Sequence, residues 1–269
     1  MFENLKNSFI AKALLFTIIL WIILAIIFGF TDLEISIAVV DESSEWGIFG
    51  RVYGEATGYG LIAIALSALI GGSNNNIEKQ KIPAYVIIGI GVILFVLGFI
   101  FNVEPLIIDG AGVFIFVIIF LAITYNKDWK QYRKISAIII ILAVLNSLLF
   151  VQLTKFLCGR IRFKDLASSF TDYTPWFLPP GPLSGGDSFP SGHTSVSFMF
   201  LPLLIIFRDR KLKDPIRIIS AFLILGWAVF IAVSRVVVGD HYASDVLFSA
   251  MMACIITILL YKWFYLKGT

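Results

Sequence analysis

A bundle of membrane-crossing α-helices is the fold class this sequence predicts, on three observations. The 269-residue chain is 59% hydrophobic, with a mean hydropathy of +0.92. Only 14% of its residues are charged, where soluble domains carry about 25%. Its apolar residues come in long continuous runs rather than alternating every second residue. That pattern selects helices over a closed barrel, the two structures that satisfy backbone hydrogen bonds inside lipid. The whole chain, 1–269, therefore reads as a single all-α integral membrane domain.

Eight runs approach the roughly 20 apolar residues that span a bilayer: 9–30, 56–72, 83–103, 106–125, 135–155, 192–207, 216–237 and 243–262. The first is too long for a signal-peptide core of about 7–15 residues and lacks a small-residue cleavage site, so it reads as a retained helix. The runs 56–72 and 192–207 are short. A tight Glu104-Pro105 connection joins 83–103 to 106–125, and Asp109 lies near the start of the latter. Residues 31–55 carry Asp32, Glu34, Asp41, Glu42, Glu45, Glu55 and Trp46, and read as an external, acidic, interfacial segment. Residues 156–191 are rich in Pro, Gly, Ser and aromatics. A loop of that length is functional or disordered, and candidate chemistry at both of its ends favours function. Gly50, Gly54 and Gly58 recur every four residues, which suits close helix packing or loop punctuation equally. Cys158 and Cys254 match no metal-site spacing and read as two unpaired thiols.

Orientation follows from the basic residues, which favour the cytoplasmic side. If the N-terminus lies inside, Lys6, Lys79, Lys81, Lys127, Lys130, Arg133, Lys134, Arg208, Arg210, Lys211, Lys213, Arg217, Lys262 and Lys267 are internal. Only Arg51, Lys155, Arg160, Arg162, Lys164 and Arg235 fall outside. Both termini are then cytoplasmic, and the chain's two histidines, His193 and His241, share the external face of what is expected to be the cell membrane.

Each histidine sits among phosphate-handling residue types. His193 ends Pro190-Ser191-Gly192-His193, while Ser234-Arg235 precedes His241, with Asp245 four residues further on. Upstream, six residues separate Lys155 from Arg162. A phosphate monoester needs several charged donors converging from different directions. Lys155 offers a point charge, and Arg162 and Arg235 offer planar bidentate forks. Ser191 offers a hydroxyl. Gly192 offers close backbone approach and an unpaired N–H at a helix start, where anions are favoured. Asp245 lies on the helical face of His241 and is placed to hold its tautomer. His193, beside the phosphate cradle, suits a general acid, and His241 a nucleophile, although spacing leaves the reverse assignment open. Singly, each feature has a plain structural reading: snorkelling basic residues, a turn with a helix cap, a helix-terminal hydrogen bond. Three such features assigned to one face by an independent charge count make coincidence the poorer account.

These three stretches, taken together, resemble the type 2 phosphatidic acid phosphatases, which share their site with vanadium haloperoxidases and glucose-6-phosphatase. Lys155 to Arg162 is similar to the first family motif. Pro190-Ser191-Gly192-His193 matches the second, and Ser234-Arg235 through His241 to Asp245 matches the third; the resemblance covers roughly 135–262. It implies a metal-independent enzyme without cofactor that forms a phosphohistidine. His241 would be the nucleophile, His193 the acid and then the base for water, and Asp245 the orienting partner. Lys155, Arg162, Ser191, Gly192 and Arg235 would bind the phosphate of a lipid. Phe163 stands where the family has proline, which puts the loop carrying Arg162 in question. A family core of six helices makes two of the eight additional, 83–103 and 106–125. Arg160 reads as a solvated loop charge rather than a headgroup contact.

The leading expectation is a lipid phosphate phosphatase acting at the outer membrane face, on a phosphorylated lipid and not on nucleic acid. A phosphotransferase would pass the phosphoryl group from the same histidines to another lipid. A vanadate-dependent haloperoxidase conflicts with eight spans. A transporter or channel using Asp109 and Glu104 would leave the basic cluster unexplained.

Overall fold

The computed structural model describes residues 2–266, and the described residues are helices and connecting loops without strands. Lys267 and the side chain of Lys6, both assigned above to the inner side, lie outside the description. Each of the eight apolar runs is helical. Helices α1 (Phe2–Val39), α2 (Glu45–Gly71), α3 (Ile82–Phe101) and α4 (Glu104–Thr124) are regular. Helix α5 covers 133–158 and widens into a π-helical stretch over Ala143–Val151. Helix α6 is Gly192–Phe207, α7 is Pro215–Val237 and α8 is Ala243–Leu266.

Seven of these helices are long and apolar enough to cross a membrane; α6 is shorter. Its last 10 residues, Phe198–Phe207, are wound as a 3-10 helix and include Pro202, which has no N–H to give. A 3-10 helix rises about 2.0 Å per residue, so α6 reaches about 29 Å, close to the thickness of a bilayer's hydrocarbon core. Large apolar side chains such as Phe16, Phe99 and Phe222 face outward, as a lipid environment permits and water does not.

Two helices run well past the apolar windows read from sequence. The stretch 31–55 is no separate segment: 31–39 continues α1 and 45–55 begins α2, leaving a turn at 40–44. A hydropathy window stops at Asp32 and Glu55 because a carboxylate is costly in lipid. Partners inside the bundle offset much of that cost, so the helix continues through the carboxylate.

Helix α2 is the hub of the bundle. One side joins α5, α6, α7 and α8 in a core containing Leu61, Ala65, Ile139, Met199, Ala228 and Ile256. Another side, with Ala63 and Ala68, packs on α3 and α4 around Ala84, Val117 and Trp129. The glycine row resolves in favour of packing. A Cβ at Gly50 would collide with Ser234, one at Gly54 would lie 3.0 Å from Ile231, and one at Gly58 would strike Val196. These small residues let α2 lie against α7 and α6. Helix α1 packs on α8 at the bundle edge.

The two ends of the bundle differ. One gathers the connections 72–81, 125–132 and 208–214, where Gln80 binds Asp128 (2.7 Å) and Lys81 donates to the Lys127 carbonyl (2.7 Å) over the Trp129 ring. The other end gathers the C-termini of α1, α5 and α7 and the N-termini of α2, α6 and α8.

Candidate active site

Six helix ends and one loop build this second end. At the close of α5, Gly159 adopts a left-handed conformation (φ +61°), and a Cβ there would strike the Gly181 carbonyl and Ser184. Glycine thus lets the chain leave the helix and fold back. Gly181 N–H donates to the Cys158 carbonyl (2.9 Å) and Ser188 N–H to the Arg160 carbonyl (2.9 Å). Trp176 pins the loop to α1 by donating to the Ala25 carbonyl at 2.9 Å. The loop 159–190 is therefore an ordered wall of the site.

At the start of α6, Ser191 is fully buried, and its hydroxyl accepts from Thr194 N–H (3.4 Å) and meets the Thr194 hydroxyl at 3.0 Å. The expected cradle serine is thus also the N-cap that fixes the helix start. Gly192 lies open: from the position a Cβ would take, the nearest atom is Glu55 Oε1 at 3.8 Å.

His241 hangs from the end of α7, where the N–H groups of Asp240 and His241 both donate to the Arg235 carbonyl (3.1 and 3.2 Å). Its ring is 1% exposed. Asp245 Oδ2 lies 3.6 Å from His241 Nδ1, but the nearer partner is the Ser188 carbonyl at 2.6 Å. A carbonyl can only accept, so Nδ1 carries the hydrogen and the lone pair of the neutral ring sits on Nε2. The Asp245 carboxylate is spread further, accepting from the Ser188 hydroxyl, from Tyr242 N–H (2.9 Å) and from Arg160 (2.7 Å). Burial first of all, and then the positive charges of Arg235 and Lys155, push the His241 imidazole down to about 4, against the pull of Asp245.

Arg160 is not a solvated loop charge. It is 1% exposed and bonds Asp32 of α1 (3.0 Å), Asp245 (2.7 Å), the Ser244 hydroxyl (2.8 Å) and the Thr174 carbonyl (2.9 Å). Its guanidinium also lies 3.8 Å over the Tyr242 ring. Asp32 in turn accepts from Ser244 N–H at 2.9 Å and from the Ser244 hydroxyl. Two carboxylates distant in sequence shield this cation from lipid, which a reading of local spacing had no means to find.

Four further cations face the opening, bridged by two acidic residues. Asp187 bridges Arg162 (2.7 Å) and Lys155 (3.8 Å), and Asp240 bridges Arg235 (2.6 Å) and Lys164 (2.6 Å), with Arg162 at 3.6 Å. Burial would raise both carboxyls. The charges and hydrogen bonds of Arg162 and Lys155 on Asp187, and of Arg235 and Lys164 on Asp240, outweigh it and hold both below the usual range. Arg235 is 3% exposed, yet its Nε and Nη1 have no hydrogen-bond partner among the described residues. Arg162 Nε is likewise unpartnered.

His193 points to α2. Its Nδ1 is 2.9 Å from Glu55 Oε1 and its Nε2 is 3.0 Å from the Arg51 carbonyl. Asp187, the carboxylate nearest to His193 in sequence, is engaged by Arg162 and Lys155 instead. The start of α6 that carries His193 meets the start of α8 just after His241, where Ser191 N–H donates to the Asp245 carbonyl at 3.1 Å. Glu55, Asp32, Arg160 and Ser188 are the members that sequence reasoning missed. Acidic residues inside otherwise apolar helices were the available signal for the first two.

No curated protein and no solved structure matches the chain. Residues 136–268, from α5 through α8 and including all three motif stretches, match the family model described as the PAP2 superfamily. Asp32 and Glu55 lie ahead of that range. With the histidines and cations placed as described, the matched region resembles the PAP2 superfamily, and together with seven helices that fit a multi-pass membrane protein it supports a membrane phosphatase in general.

Proposed function

We propose that the protein hydrolyses a phosphomonoester or diphosphate lipid headgroup at the outer membrane face, without a metal, through a phosphohistidine. The observation that carries this reading is the buried Arg235 guanidinium, whose Nε and Nη1 have no partner. A buried unpaired donor is costly, and an anion that takes hydrogen bonds from it removes that cost. Lys155 and Arg162 flank the same place, and Ser191 and Gly192 close it from the start of α6. Asp187 stands between Lys155 and Arg162 and yields them as the phosphate enters.

His241 Nε2, its lone pair fixed by the Nδ1–H bond to Ser188, attacks phosphorus in line. The P–N bond forms as the P–O bond to the lipid breaks, and the leaving oxygen keeps the electron pair and takes a proton from His193. Water then gives that proton back to His193 while its oxygen attacks phosphorus, and the P–N electrons return to His241. Helix α1 brings Asp32, and through Arg160 it steadies Asp245 and the loop that holds His241.

The test is inorganic phosphate release by purified protein in excess chelator, against phosphatidate, phosphatidylglycerol phosphate, a polyprenyl diphosphate and a lipid A phosphate. Release from at least one lipid, abolished by His241→Ala, is expected. Full turnover by that variant would end the covalent mechanism. Radiolabel passing to a second lipid instead of water would make the enzyme a phosphotransferase.

A further inference from the structure

Both ring nitrogens of His193 are held by helix α2, a helix outside the family-matched range. Nδ1 faces the Glu55 carboxylate at 2.9 Å and Nε2 the Arg51 carbonyl at 3.0 Å. Both partners are acceptors, so both contacts are hydrogen bonds only when each nitrogen carries a hydrogen. The two contacts differ in kind. The carbonyl is a neutral acceptor, whereas the carboxylate makes a charge-assisted bond about twice as strong. Glu55 and His193 are each about one-fifth to one-quarter exposed, at 24% and 21% of their side chains, so the pair borders the opening and is not sealed within the core. Gly192 lies directly beside it, with Glu55 the nearest atom to the place its Cβ would take. The position of α2 is itself fixed by glycine contacts to α7 at Gly50 and Gly54 and to α6 at Gly58. Glu55 is thus registered against the start of α6 by the packing of three helices.

We infer that Glu55 is the positioning residue for His193: it keeps the Nδ1–H bond throughout turnover, so that Nε2 exchanges the Arg51 carbonyl for the leaving oxygen of the substrate. This rests on the function proposed above. In the transfer step, Nε2 gives its proton to the oxygen leaving phosphorus, and the ring remains bonded to Glu55 through Nδ1–H. In the hydrolysis step Nε2 recovers a proton from the attacking water. Glu55 holds the ring's angle and its tautomer in both directions and does not itself touch phosphate. The arrangement parallels the hold of the Ser188 carbonyl, in the long loop, on His241. There a neutral acceptor suits a ring that must begin neutral; here a carboxylate suits one that must begin with two hydrogens.

The leaving group separates this role from a merely structural one. A lipid alkoxide needs a proton as it departs, and 4-nitrophenolate does not. Phosphoenzyme formation is measured in single turnovers with phosphatidate and with 4-nitrophenyl phosphate, for the native protein, Glu55→Gln, Glu55→Asp and His193→Ala. Glu55→Gln is expected to slow the phosphatidate reaction by about 10²-fold, within the range that positioned acid catalysis contributes, and the nitrophenyl reaction by less than about 5-fold. Glu55→Asp should recover part of the loss. Equal slowing of both substrates by Glu55→Gln would overturn the inference. A second readout does not depend on turnover. With only two histidines in the chain, the Nδ1 proton of His193 is assignable by NMR through the His241→Ala variant. A downfield, carboxylate-bonded resonance should vanish in Glu55→Gln while the rest of the spectrum is kept. Its persistence, or its absence from the native protein, would overturn the role of Glu55. If that resonance behaves as expected but no lipid or nitrophenyl phosphate is turned over, the proposed phosphatase function is what has failed.

Discussion

Arg160 and Arg235 are two buried guanidinium groups at the same end of one bundle, and they are treated in opposite ways. Arg160 is surrounded: two carboxylates, a hydroxyl, a carbonyl and an aromatic face take up its hydrogen-bonding capacity and charge. Arg235 has one close acidic partner, Asp240, and two donors with none. Burial of a cation is costly in either case. A cation surrounded within the protein ties elements together, here α1, the long loop and α8. A cation left with free donors can take a further acceptor, which is the role proposed for Arg235. The family-matched range supplies both arginines, but Asp32, which completes the first, comes from α1 outside it.

The sharpest break of this comparison is Arg160→Met. It leaves Asp32 and Asp245 as uncompensated buried carboxylates, and removing one partner of a buried pair costs about 3–5 kcal/mol. Thermal unfolding in detergent should show a large loss of stability, and Asp32→Asn in the same chain should restore part of it. A melting temperature equal to the native protein's would refute the structural assignment.

Arg235→Met should do the reverse. Asp240 keeps Lys164 at 2.6 Å, so stability changes little, while anion binding suffers. Losing charge-assisted hydrogen bonds worth about 1.5–3 kcal/mol weakens inorganic phosphate or vanadate inhibition by about 10–10²-fold. Inhibition constants measured at fixed ionic strength check this.

A pH profile adds a third contrast. His241 is held down to about 4, chiefly by burial and in part by Arg235. If His241 is the nucleophile proposed above, its lone pair is lost only as pH falls through that value, and the acid limb of kcat/KM should lie well below the ordinary histidine value of about 6.5. Arg235→Met removes one of the cations that lower it, so the limb should move upward; Arg235→Lys should leave it nearly in place.

The smallest effect is expected at Asp187, whose carboxylate is more than half exposed. Asp187→Asn frees Lys155 and Arg162 from an internal competitor. Exposed ion pairs are worth about 0.2–1 kcal/mol, so phosphate should bind about 2–5-fold more tightly. Weaker binding instead would mean that Asp187 orients those cations.

The helical, apolar class, the eight helical runs and the three motif stretches that fall in the family-matched range could be read from the chain alone, because local signals carry them. Hydropathy is a property of consecutive residues, and Lys155 with Arg162, Ser191 with His193, and Arg235 with His241 are near neighbours along the chain. Which acid meets which base came from long-range packing. The Asp32 contacts to Arg160 and Ser244 span 128 and 212 residues, and His193 reaches across 142 residues to the Arg51 carbonyl beside Glu55. Pairing at such separations leaves no periodicity to read. It also moved the ends of α1 and α2, since a carboxylate that looks like the edge of a membrane span is, once a buried partner meets it, an interior residue of a longer helix.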